Sequence, residues 1–524
     1  MALSLESAAA LLFEHGLLRE IITRDGWTLN PSDVPGYRDQ VTGLTYSTTQ
    51  VVPGSALVCK GRFRAEYLQD IDQQRLAWYV ATEDYSAYTA APGLIVNNAT
   101  QALSLLAAAY YDYPQDELTV IGITGTKGKT TTAYFTQAML NALSGGKCAL
   151  FSSNDNCIDG VHYVESDLTT PESLDAFRMM RQAREHGMEY LVMEVSSQSY
   201  KVNRVYGLHF DVAGFLNISP DHVSPIEHPT FEDYLYCKRQ IIANTSALVL
   251  GADCDHVRLL LQDAHLHDVP VTLFGTEDST LPDDGQSTPL GLVTVGAADE
   301  RHDRFDVTVF GDPAGSIALA MPGDFNYVNA AAAIALIEAA GVPFNADVAY
   351  KALDEVRIAG RMETTRDDES NTVVIVDYAH NGISVTSVLD YVDLQWGQEQ
   401  PSITLITGSA GGKALDRREE MVRAAEQRID HFIFTTDDPN EEPVQDICEH
   451  MASYIQAPDV RHSIILDRAQ AIASAIEEAR ADDSGRLHVI LALGKGEERW
   501  IKAHGKHMPY EGDDHVVARL LHRL

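Results

Sequence analysis

The stretch GITGTKGKTTT at residues 122–132 contains residue types that can hold a phosphate group. An apolar, β-branched run precedes it and predicts a buried strand, and apolar residues at helical spacing follow it. In a strand–turn–helix of this kind, backbone N–H groups and the helix N-terminus face an anion. The chemistry would be phosphoryl transfer from a nucleotide, with Lys129 at the terminal phosphates and Thr130 at Mg²⁺.

The spacing differs from the common phosphate-loop pattern, which requires a glycine where Ile123 stands. The chain has the shorter pattern Gly125-x-x-Gly128-Lys129-Thr130. An ordinary glycine-rich turn between a strand and a helix is the alternative interpretation. The strand before it, the helix after it and the Gly-Lys-Thr triplet favour phosphate binding.

Other polar side chains follow predicted strands and form a second group of candidates. Glu194 follows the run LVM, where a carboxylate can hold Mg²⁺ directly or through water. Asn217, Asp221 and His222 end the run LNISPDH, and His222 could be a metal ligand, a phosphate donor or a structural histidine. Lys238 lies in a helical stretch, where a solvated charge is the ordinary interpretation.

The last third of the chain contains two further clusters. The motif VDYAHN contains Asp377, Tyr378, His380 and Asn381, and the stretch GSAGGKALDRRE contains Lys413, Arg417 and Arg418. Basic residues after a glycine-rich turn suit a phosphate or a carboxylate. For Arg417, the start of a solvated helix is the alternative.

The elements that must position these residues fall into three segments, which predict an α/β protein. Residues 1–116 combine a first helix, short strands such as GLTYSTTQVV and GSALVCKG, and a closing helix. Residues 117–357 contain the strand candidates TVIGITG, YLVMEVSS, VAGFLNIS and SALVLGA with helical patterns between them, which predicts a mostly parallel sheet. Residues 276–322 predict an added β segment, and a helix then ends at Gly341.

Residues 358–524 predict a second α/β domain. The apolar runs in TVVIVDYAH, SITLITGS, HFIFTTDDP and LHVILALGKG each end in polar residues. In an open α/β sheet, ligands gather at the carboxyl ends of the strands. We therefore expect these loops to face a cleft.

The composition excludes several classes of partner. The chain has 524 residues, enough for two to four domains, and a formal net charge of −37. This charge argues against nucleic acid or an anionic membrane as the main partner, so an anionic nucleotide needs local clusters of cations. Six scattered cysteines without a CxxC pair predict reduced thiols. Without a basic, apolar leader or an apolar run near ~20 residues, we expect a cytoplasmic protein.

The order of the motifs along the chain is specific. It runs TGTKGKTT, TTPES, MEVSS, LNISPDH, a lysine sixteen residues later, GDFNYVNAAAA, GRME, VDYAHN, DDPN and GKG. This order resembles that of the Mur ligases, over essentially the whole chain, and most closely the members that add the third residue of the stem peptide. The resemblance implies a UDP-sugar-binding domain at 1–116, a central P-loop ATP-binding domain at 117–357 and a C-terminal Rossmann-like, amino-acid-binding domain at 358–524.

The resemblance also implies a reaction. In this family, the γ-phosphoryl group of ATP goes to a substrate carboxylate, here that of the terminal D-glutamate of UDP-N-acetylmuramoyl-L-Ala-D-Glu. An amine then attacks the acyl phosphate and leaves an amide, ADP and phosphate, so that positioning and charge neutralisation carry the catalysis. ATP, Mg²⁺ and a CO₂-derived carbamate on Lys238 are the implied cofactors. We expect a monomer.

Individual site residues follow from the same resemblance. The ATP site would comprise Gly125, Thr126, Lys127, Gly128, Lys129, Thr130, Thr131, Asn329, Arg361, Asp377 and His380. The metal would be held by Thr130, Glu194, His222 and the carbamate of Lys238, and the UDP-muramoyl substrate by Ser47, Thr169, Thr170, Ser196 and Arg204. The carbamate reverses the ordinary interpretation of Lys238, because it converts a cation into a carboxylate-like metal ligand.

Two stretches depart from the family pattern. Gln198 stands where many relatives have a histidine, so no metal role is assigned to it. The stretch GSAGGKALDRRE matches only loosely, so Lys413 receives no role and Arg418 is placed at the amino-acid substrate.

The stretch Asp437-Asp438-Pro439-Asn440 bears on which amino acid is added. Members that add meso-diaminopimelate usually have Asp-Asn-Pro-Arg, whose arginine can pair with the second carboxylate of that substrate. Without this arginine and with more acids following, the loop predicts a pocket for a cationic side chain, although a solvated acidic loop is the alternative. L-lysine is the first choice, and ornithine differs by one methylene, worth only ~1–3 kcal/mol. Glu498, after GKG, would contact the incoming α-amino group.

Two other functions are compatible with parts of the pattern. A folylpolyglutamate synthase shares the P-loop and the carbamylated lysine but lacks the UDP-sugar domain that residues 1–116 supply. A non-catalytic, nucleotide-gated binding module would have no reason to combine Glu194, His222, Lys238 and VDYAHN.

Overall fold

The N-terminal segment folds around a mixed sheet. The computed structural model describes residues 3–221, 223–224, 227–281, 289–413 and 415–521. The elements of this segment are α1 (Leu5–Glu14), β1 (Leu18–Thr23), β2 (Gly26–Thr28), β3 (Gly43–Thr45), β4 (Ser55–Val58), β5 (Trp78–Ala81), β6 (Gly93–Val96) and α2 (Ala99–Tyr110). The strand order is β2-β1-β6-β5-β4-β3, with β3 to β6 parallel and β1 antiparallel to both neighbours. The predicted strand GLTYSTTQVV is shorter than expected, because Thr48–Gln50 forms a 3-10 turn.

The central segment forms a larger sheet. Its elements are β7 (Thr119–Thr124), α3 (Lys129–Ser144), β8 (Cys148–Phe151), β9 (Asp155–Cys157), β10 (Tyr163–Glu165), α4 (Ser173–Glu185), β11 (Tyr190–Glu194), α5 (Ser197–Lys201), β12 (Val212–Phe215), α6 (Phe231–Arg239), β13 (Leu248–Gly251), α7 (Val257–Leu266), β14 (Val271–Thr276), β15 (Gly291–Ala297), β16 (Phe305–Val309), β17 (Asp312–Ile317), α8 (Asp324–Ala339) and α9 (Ala346–Asp354). The strand order is β10-β9-β8-β11-β7-β12-β13-β14-β15-β16-β17. The strands from β8 to β15 in this order are parallel, as predicted.

The predicted β segment extends this same sheet. Strand β15 pairs parallel with β14, and β16 and β17 follow as an antiparallel meander at the sheet's edge. The alternating burial of β15 and β16 agrees with a strand that packs on one face only. Helix α8 then ends at Ala339, two residues before the predicted stop.

The C-terminal segment forms a third sheet. Its elements are β18 (Glu363–Asp367), β19 (Thr372–Asp377), α10 (Gly382–Trp396), β20 (Ser402–Thr407), α11 (Asp416–Ala425), β21 (His431–Phe434), α12 (Val444–Ala452), β22 (Arg461–Ile464), α13 (Arg468–Ala481), β23 (His488–Leu493), β24 (Trp500–Ala503), β25 (Lys506–Pro509) and α14 (Asp513–Leu520). The strand order is β18-β19-β23-β20-β21-β22, parallel except for β18. The four runs predicted here are β19, β20, β21 and β23.

The apolar cores show how the segments are joined. One continuous core includes Leu106 of α2 and Phe177 of α4, so the first segment packs directly on the central one. The third segment has its own apolar clusters on the two faces of its sheet. Each of the six cysteines is buried with a free thiol, as expected. Among the described residues, no helix is long and apolar enough to cross a membrane.

A buried ion pair fastens α13 to α14. Arg468 donates from Nε and Nη2 to the carboxylate of Asp513 at 2.8 and 2.6 Å, and neither side chain is exposed. The same Nη2 donates to the carbonyl oxygen of Leu493 at the end of β23. The pair therefore ties two helices to the strand end that precedes Glu498.

We expect Arg468→Met to lower the free energy of opening of this region by about 3–5 kcal/mol, because Asp513 would stay buried without a counter-charge. Native-state hydrogen exchange of the β23 amides measures this change. The control is Arg519→Met, whose pair with Glu511 is half exposed and worth less than ~1 kcal/mol. Equal effects of the two substitutions would contradict the expectation.

Candidate active site

The phosphate-loop stretch has the backbone geometry that was predicted. It connects β7 to α3, and Gly128 caps the helix with φ 82°. A Cβ at Gly128 would overlap with Oδ1 of Asn329, which comes from α8. The Nζ of Lys129 donates to the carbonyl oxygens of Gly125 and Thr126 at 2.9 and 3.3 Å. The loop can therefore present N–H groups only because position 128 has no side chain.

A buried carboxylate lies beside the start of α3. Glu194, at the end of β11, is fully buried, and its two oxygens accept from the N–H of Ser153 at 2.8 Å and from its Oγ at 3.2 Å. Thr130 is nearly buried in the first helical turn. Both side chains line one cavity, together with Thr169. Among the described residues, no lysine or arginine pairs with Glu194 within 4 Å, so oxygen donors suited to a hard cation meet here.

Lys238 is buried in α6, contrary to the ordinary expectation for a helical lysine. Its side chain is 2% exposed. Its Nζ donates to the carbonyl oxygen of Gly125 at 2.8 Å and to Oγ1 of Thr124 at 3.3 Å. Burial, and then the charge of Lys129, hold the pKa of Lys238 well below its ordinary value. This environment therefore favours the neutral form of the amine.

Cations and one acid join the central and C-terminal segments. Asp221 pairs with Lys127 at 3.2 Å and with Arg417 of α11. The Nζ of Lys127 also lies 3.4 Å from Nε2 of His380. Burial lowers the pKa of Lys127 to about 8 and that of His380 well below its ordinary value. The local cation cluster that the acidic composition required is thus assembled from two segments.

The motif VDYAHN at the end of β19 forms another side of the cavity. Asp377 is buried and accepts from the N–H groups of Met362 and Ala379, both at 2.8 Å. Burial raises the pKa of Asp377. The guanidinium of Arg361 lies 4.6 Å from the ring centre of Tyr378. These contacts hold the Arg361 and Tyr378 side chains at the cavity while Asp377 fixes the backbone around them.

In the acidic loop, residues 437–442, most carboxylates form ion pairs with cations of the protein. Lys495 of the GKG motif is fully buried and pairs with Asp438 at 2.9 Å and with Glu498. Glu498 also accepts from the hydroxyl of Tyr378 at 3.2 Å. Asp437 lines the cavity, and burial raises the pKa of this carboxyl. Two carboxylates therefore pair with one ammonium group, and a third lies near it.

Two residues predicted to bind the amino acid instead form hydrogen bonds with other groups of the protein. Arg418 is 1% exposed and forms a two-pronged pair with Glu442 at 2.9 and 2.7 Å. Asn440 adopts φ 52° and donates from Nδ2 to the carbonyl oxygens of Gly411 and Asp438, both at 3.0 Å. Neither lines the main cavity. The sequence pattern missed this because the partner of Arg418 lies 24 residues further along the chain.

The predicted UDP-muramoyl residues lie along the junction of the first two segments. Arg204 donates to Glu172 at 3.0 Å and to the carbonyl oxygen of Thr170 at 3.3 Å. Glu172 also pairs with Lys60 from the first segment. The Oγ1 of Thr170 lies 3.3 Å from Oγ of Ser196. Ser47 begins a 3-10 turn, and its neighbour Tyr46 donates to Asp175 of α4 at 2.8 Å.

The main cavity has a volume of about 970 Å³ and spans the central and C-terminal segments. The predicted residues that line it are Thr126, Lys127, Gly128, Lys129, Thr130, Thr131, Thr169, Glu194, Arg361, Tyr378, His380, Asp437, Asp438 and Glu498, with Lys413 and Arg417. The described candidates that do not line it are Ser47, Gly125, Thr170, Ser196, Arg204, Asn217, Asp221, Lys238, Asn329, Asp377, Asn381, Arg418 and Asn440. His222 lies outside the described residues.

Sequence reasoning missed several residues that shape the site. Lys495 pairs with the carboxylates of Asp438 and Glu498. The N–H of Ser153 donates to the carboxylate of Glu194. His228 is buried between Asp233 at 2.6 Å and Ser197 at 2.9 Å, and so fastens the loop before α6 to α5. The GKG motif was an available signal for Lys495, whereas nothing local marked Ser153 or His228.

Comparisons with known proteins agree with this architecture. Residues 123–337 match the Mur ligase middle domain, and residues 360–496 match the Mur ligase glutamate ligase domain. A UDP-N-acetylmuramyl-tripeptide synthetase of Bifidobacterium longum is 59% identical over 520 residues, with 99% of both chains covered. A UDP-N-acetylmuramoyl-L-alanyl-D-glutamate–L-lysine ligase of Enterococcus faecalis is 39% identical over 521 residues, with 98% of both chains covered.

Solved structures share the fold. A UDP-N-acetylmuramoyl-L-alanyl-D-glutamate–2,6-diaminopimelate ligase aligns with TM-score 0.63 at 19% identity and 99% coverage of both chains. A Mycobacterium tuberculosis folylpolyglutamate synthase complexed with ADP aligns with TM-score 0.57 at 18% identity, covering 74% of this chain and 90% of that one. The chain belongs to the Mur ligase family. It is an ATP-dependent ligase that forms an amide bond, and the predicted three-part α/β architecture is confirmed.

We expect Gly128→Ala to weaken ADP binding at least about tenfold, because its Cβ would overlap with Asn329 and disturb the loop. Isothermal titration of the full chain with ADP measures this. The control is Gly145→Ala at the other end of α3, where φ is 73° and a Cβ meets no atom within 4 Å. This control carries the same left-handed strain, so weakening by both variants alike would refute the steric explanation.

Proposed function

We propose that the chain joins L-lysine to the D-glutamate carboxylate of UDP-N-acetylmuramoyl-L-Ala-D-Glu, with ATP as phosphoryl donor, in peptidoglycan precursor synthesis. The relatives from B. longum and E. faecalis support this proposal by their names and by the coverage of the whole chain. The fold alone would leave a folylpolyglutamate synthase open. The solved enzymes of that kind cover 74–80% of this chain, against 99% for the diaminopimelate ligase.

The excess of negative charge at the acidic loop carries the choice of lysine. Lys495 pairs with Asp438 and Glu498, and its charge also acts on the nearby Asp437. Arg468, the other cation near Asp437, is committed to Asp513. An incoming side-chain ammonium would complete the charge balance of this cluster, whereas the second carboxylate of meso-diaminopimelate would add to the repulsion.

The P-loop side would activate the substrate carboxylate. The N–H groups after Gly125 and the Lys129 ammonium would receive the phosphates of ATP, and Lys127 of the same loop and Arg361 also line the cavity. Thr130 and Glu194 are oxygen donors suited to Mg²⁺, which when bound would neutralise phosphate charge. The chain itself contributes alignment of the carboxylate and the γ-phosphate and exclusion of water.

Lys238 fits the proposed carbamate because CO₂ reacts with a neutral amine. Its burial and the nearby Lys129 charge favour that neutral form. The Nζ of Lys238 lies within hydrogen-bonding distance of Gly125 and Thr124, so a carbamate formed there would lie beside the P-loop. Thr169, Thr170, Ser196, Arg204 and Ser47 would hold the UDP-muramoyl dipeptide along the junction of the first two segments. We propose that the enzyme acts as a monomer.

The proposal predicts phosphate release from ATP with UDP-N-acetylmuramoyl-L-Ala-D-Glu and L-lysine, and a product heavier by one lysyl residue. Parallel reactions with L-ornithine, meso-diaminopimelate and no amino acid, analysed by mass spectrometry, complete the test. Turnover with meso-diaminopimelate but not lysine would refute the acidic-loop argument and keep the family. Failure with all three amino acids would refute the proposed substrate, and a folate with glutamate would then be tested.

The carbamate predicts a ¹³C resonance when the full chain is incubated with ¹³C-bicarbonate. We expect Lys238→Gln to lose this resonance and at least about 10²-fold in kcat, as for loss of a preorganised charge contact. Lys147→Gln is the control, because Lys147 is exposed and pairs with Glu189 at 2.6 Å. A wild-type spectrum that matches that of Lys238→Gln would contradict the carbamate.

A further inference from the structure

Two buried polar atoms in the main cavity have no hydrogen-bond partner among the described residues. They are Nε of Arg361, a donor, and Oε2 of Glu497, an acceptor. Both side chains line the cavity. A buried polar atom without a partner is costly, and such atoms in a native protein usually face a ligand or water. The lining of this cavity therefore contains a donor residue and an acceptor residue whose polar groups the described protein does not fully satisfy.

The two residues lie where the phosphate side of the cavity meets its amino-acid side. The Arg361 guanidinium covers the ring of Tyr378, whose hydroxyl donates to Glu498. Glu497 directly precedes Glu498 in the chain. A Cβ at Gly360 would overlap with the Glu497 backbone and carboxylate, so Glu497 packs against the residue before Arg361. Glu497 thus lies between the group expected to face phosphate and the group expected to face the amine.

We propose that Glu497 accepts the proton that the incoming α-ammonium group must lose before it attacks the acyl phosphate. This inference rests on the proposed function. The ammonium gives one proton to the carboxylate of Glu497, and the freed nitrogen lone pair forms the C–N bond. The bond between the carbonyl carbon and the phosphate oxygen then breaks, phosphate leaves with that electron pair, and the second proton lost by nitrogen leaves with it. Arg361 faces the departing phosphate.

The surroundings of Glu497 suit this task. Burial raises the pKa of Glu497 to about 7, and the Arg361 guanidinium opposes that rise. A general base is most effective when its pKa lies near the working pH. The charged and titratable groups that face Glu497 from the neighbouring elements are Arg361, Glu363, Tyr378, Glu498, Arg499 and Asp514.

The experiment separates the two half-reactions. The first is measured as positional isotope exchange in ¹⁸O-labelled ATP with UDP-N-acetylmuramoyl-L-Ala-D-Glu and no amino acid, which reports acyl-phosphate formation. The second is measured as amide product with the amino acid used by the wild type. We expect the rate of isotope exchange in Glu497→Gln to stay within threefold of the wild-type rate. We expect its rate of amide formation to fall by about 10²–10⁴-fold. Glu477→Gln, an exposed glutamate on α13, is the control and should match the wild type.

Different failures have different meanings. No isotope exchange by the wild type would refute the proposed substrate and with it this inference. Loss of both half-reactions together in Glu497→Gln, with a wild-type unfolding temperature, would overturn the inference and place Glu497 at the nucleotide. Amide formation within threefold of the wild type would overturn it as well.

A pH profile gives an independent readout. The wild-type kcat/KM for the amino acid should fall below about pH 7, because a protonated Glu497 cannot accept a proton. Glu497→Gln should lack this limb, and Glu497→Asp should restore part of the rate together with the limb. An unchanged limb in Glu497→Gln would overturn the inference, since the titration would then belong to another group.

Discussion

The carbonyl oxygen of Gly125 accepts hydrogen bonds from two lysines, and the rest of the site depends on this meeting. Lys129 reaches it from α3 at 2.9 Å, and Lys238 reaches it from α6 at 2.8 Å. Two ammonium groups so close and so buried cannot both keep their charge at low cost. Burial lowers the pKa of both lysines, and it holds that of Lys238 well below its ordinary value. The neutral form is thus favoured at Lys238, the lysine proposed to carry the carbamate, beside the loop lysine proposed to bind phosphate.

The placement of buried charges also organises the remainder of the cavity. The chain has a large negative net charge, yet its cations gather at the junction of the central and C-terminal segments. Asp221 connects Lys127 and Arg417 there, so that the cations of two segments share one acid. At the opposite end, Lys495 connects Asp438 and Glu498. The cavity is therefore polar along its length, with its phosphate end positive and its amino-acid end negative, which is the polarity that the proposed reaction needs.

The pairing pattern also explains why some acids and cations near the loop are not available to a ligand. Arg418 and Glu442 neutralise each other beneath the surface, and Asn440 uses its amide to hold the loop against Gly411. The loop lies so close to Gly411 that a Cβ at this glycine would overlap with the carbonyl oxygen of Pro439. The contacts of Arg418 and Asn440 hold the acidic loop in this position. The residues left facing the cavity are the ones that can discriminate between amino acids.

The sequence by itself determined the three-part α/β organisation, the phosphate loop and most of the strand-end residues of the cavity. Strands and P-loops are local patterns, since apolar periodicity and glycine spacing depend on residues near in the chain. Only the tertiary structure decided that Lys238 is buried with a lowered pKa, that Arg418 is paired with Glu442, and that Arg361 and Glu497 each have a buried polar atom without a hydrogen-bond partner among the described residues. Burial and charge pairing arise between residues far apart in sequence, and no local pattern encodes which partner each buried charge will meet.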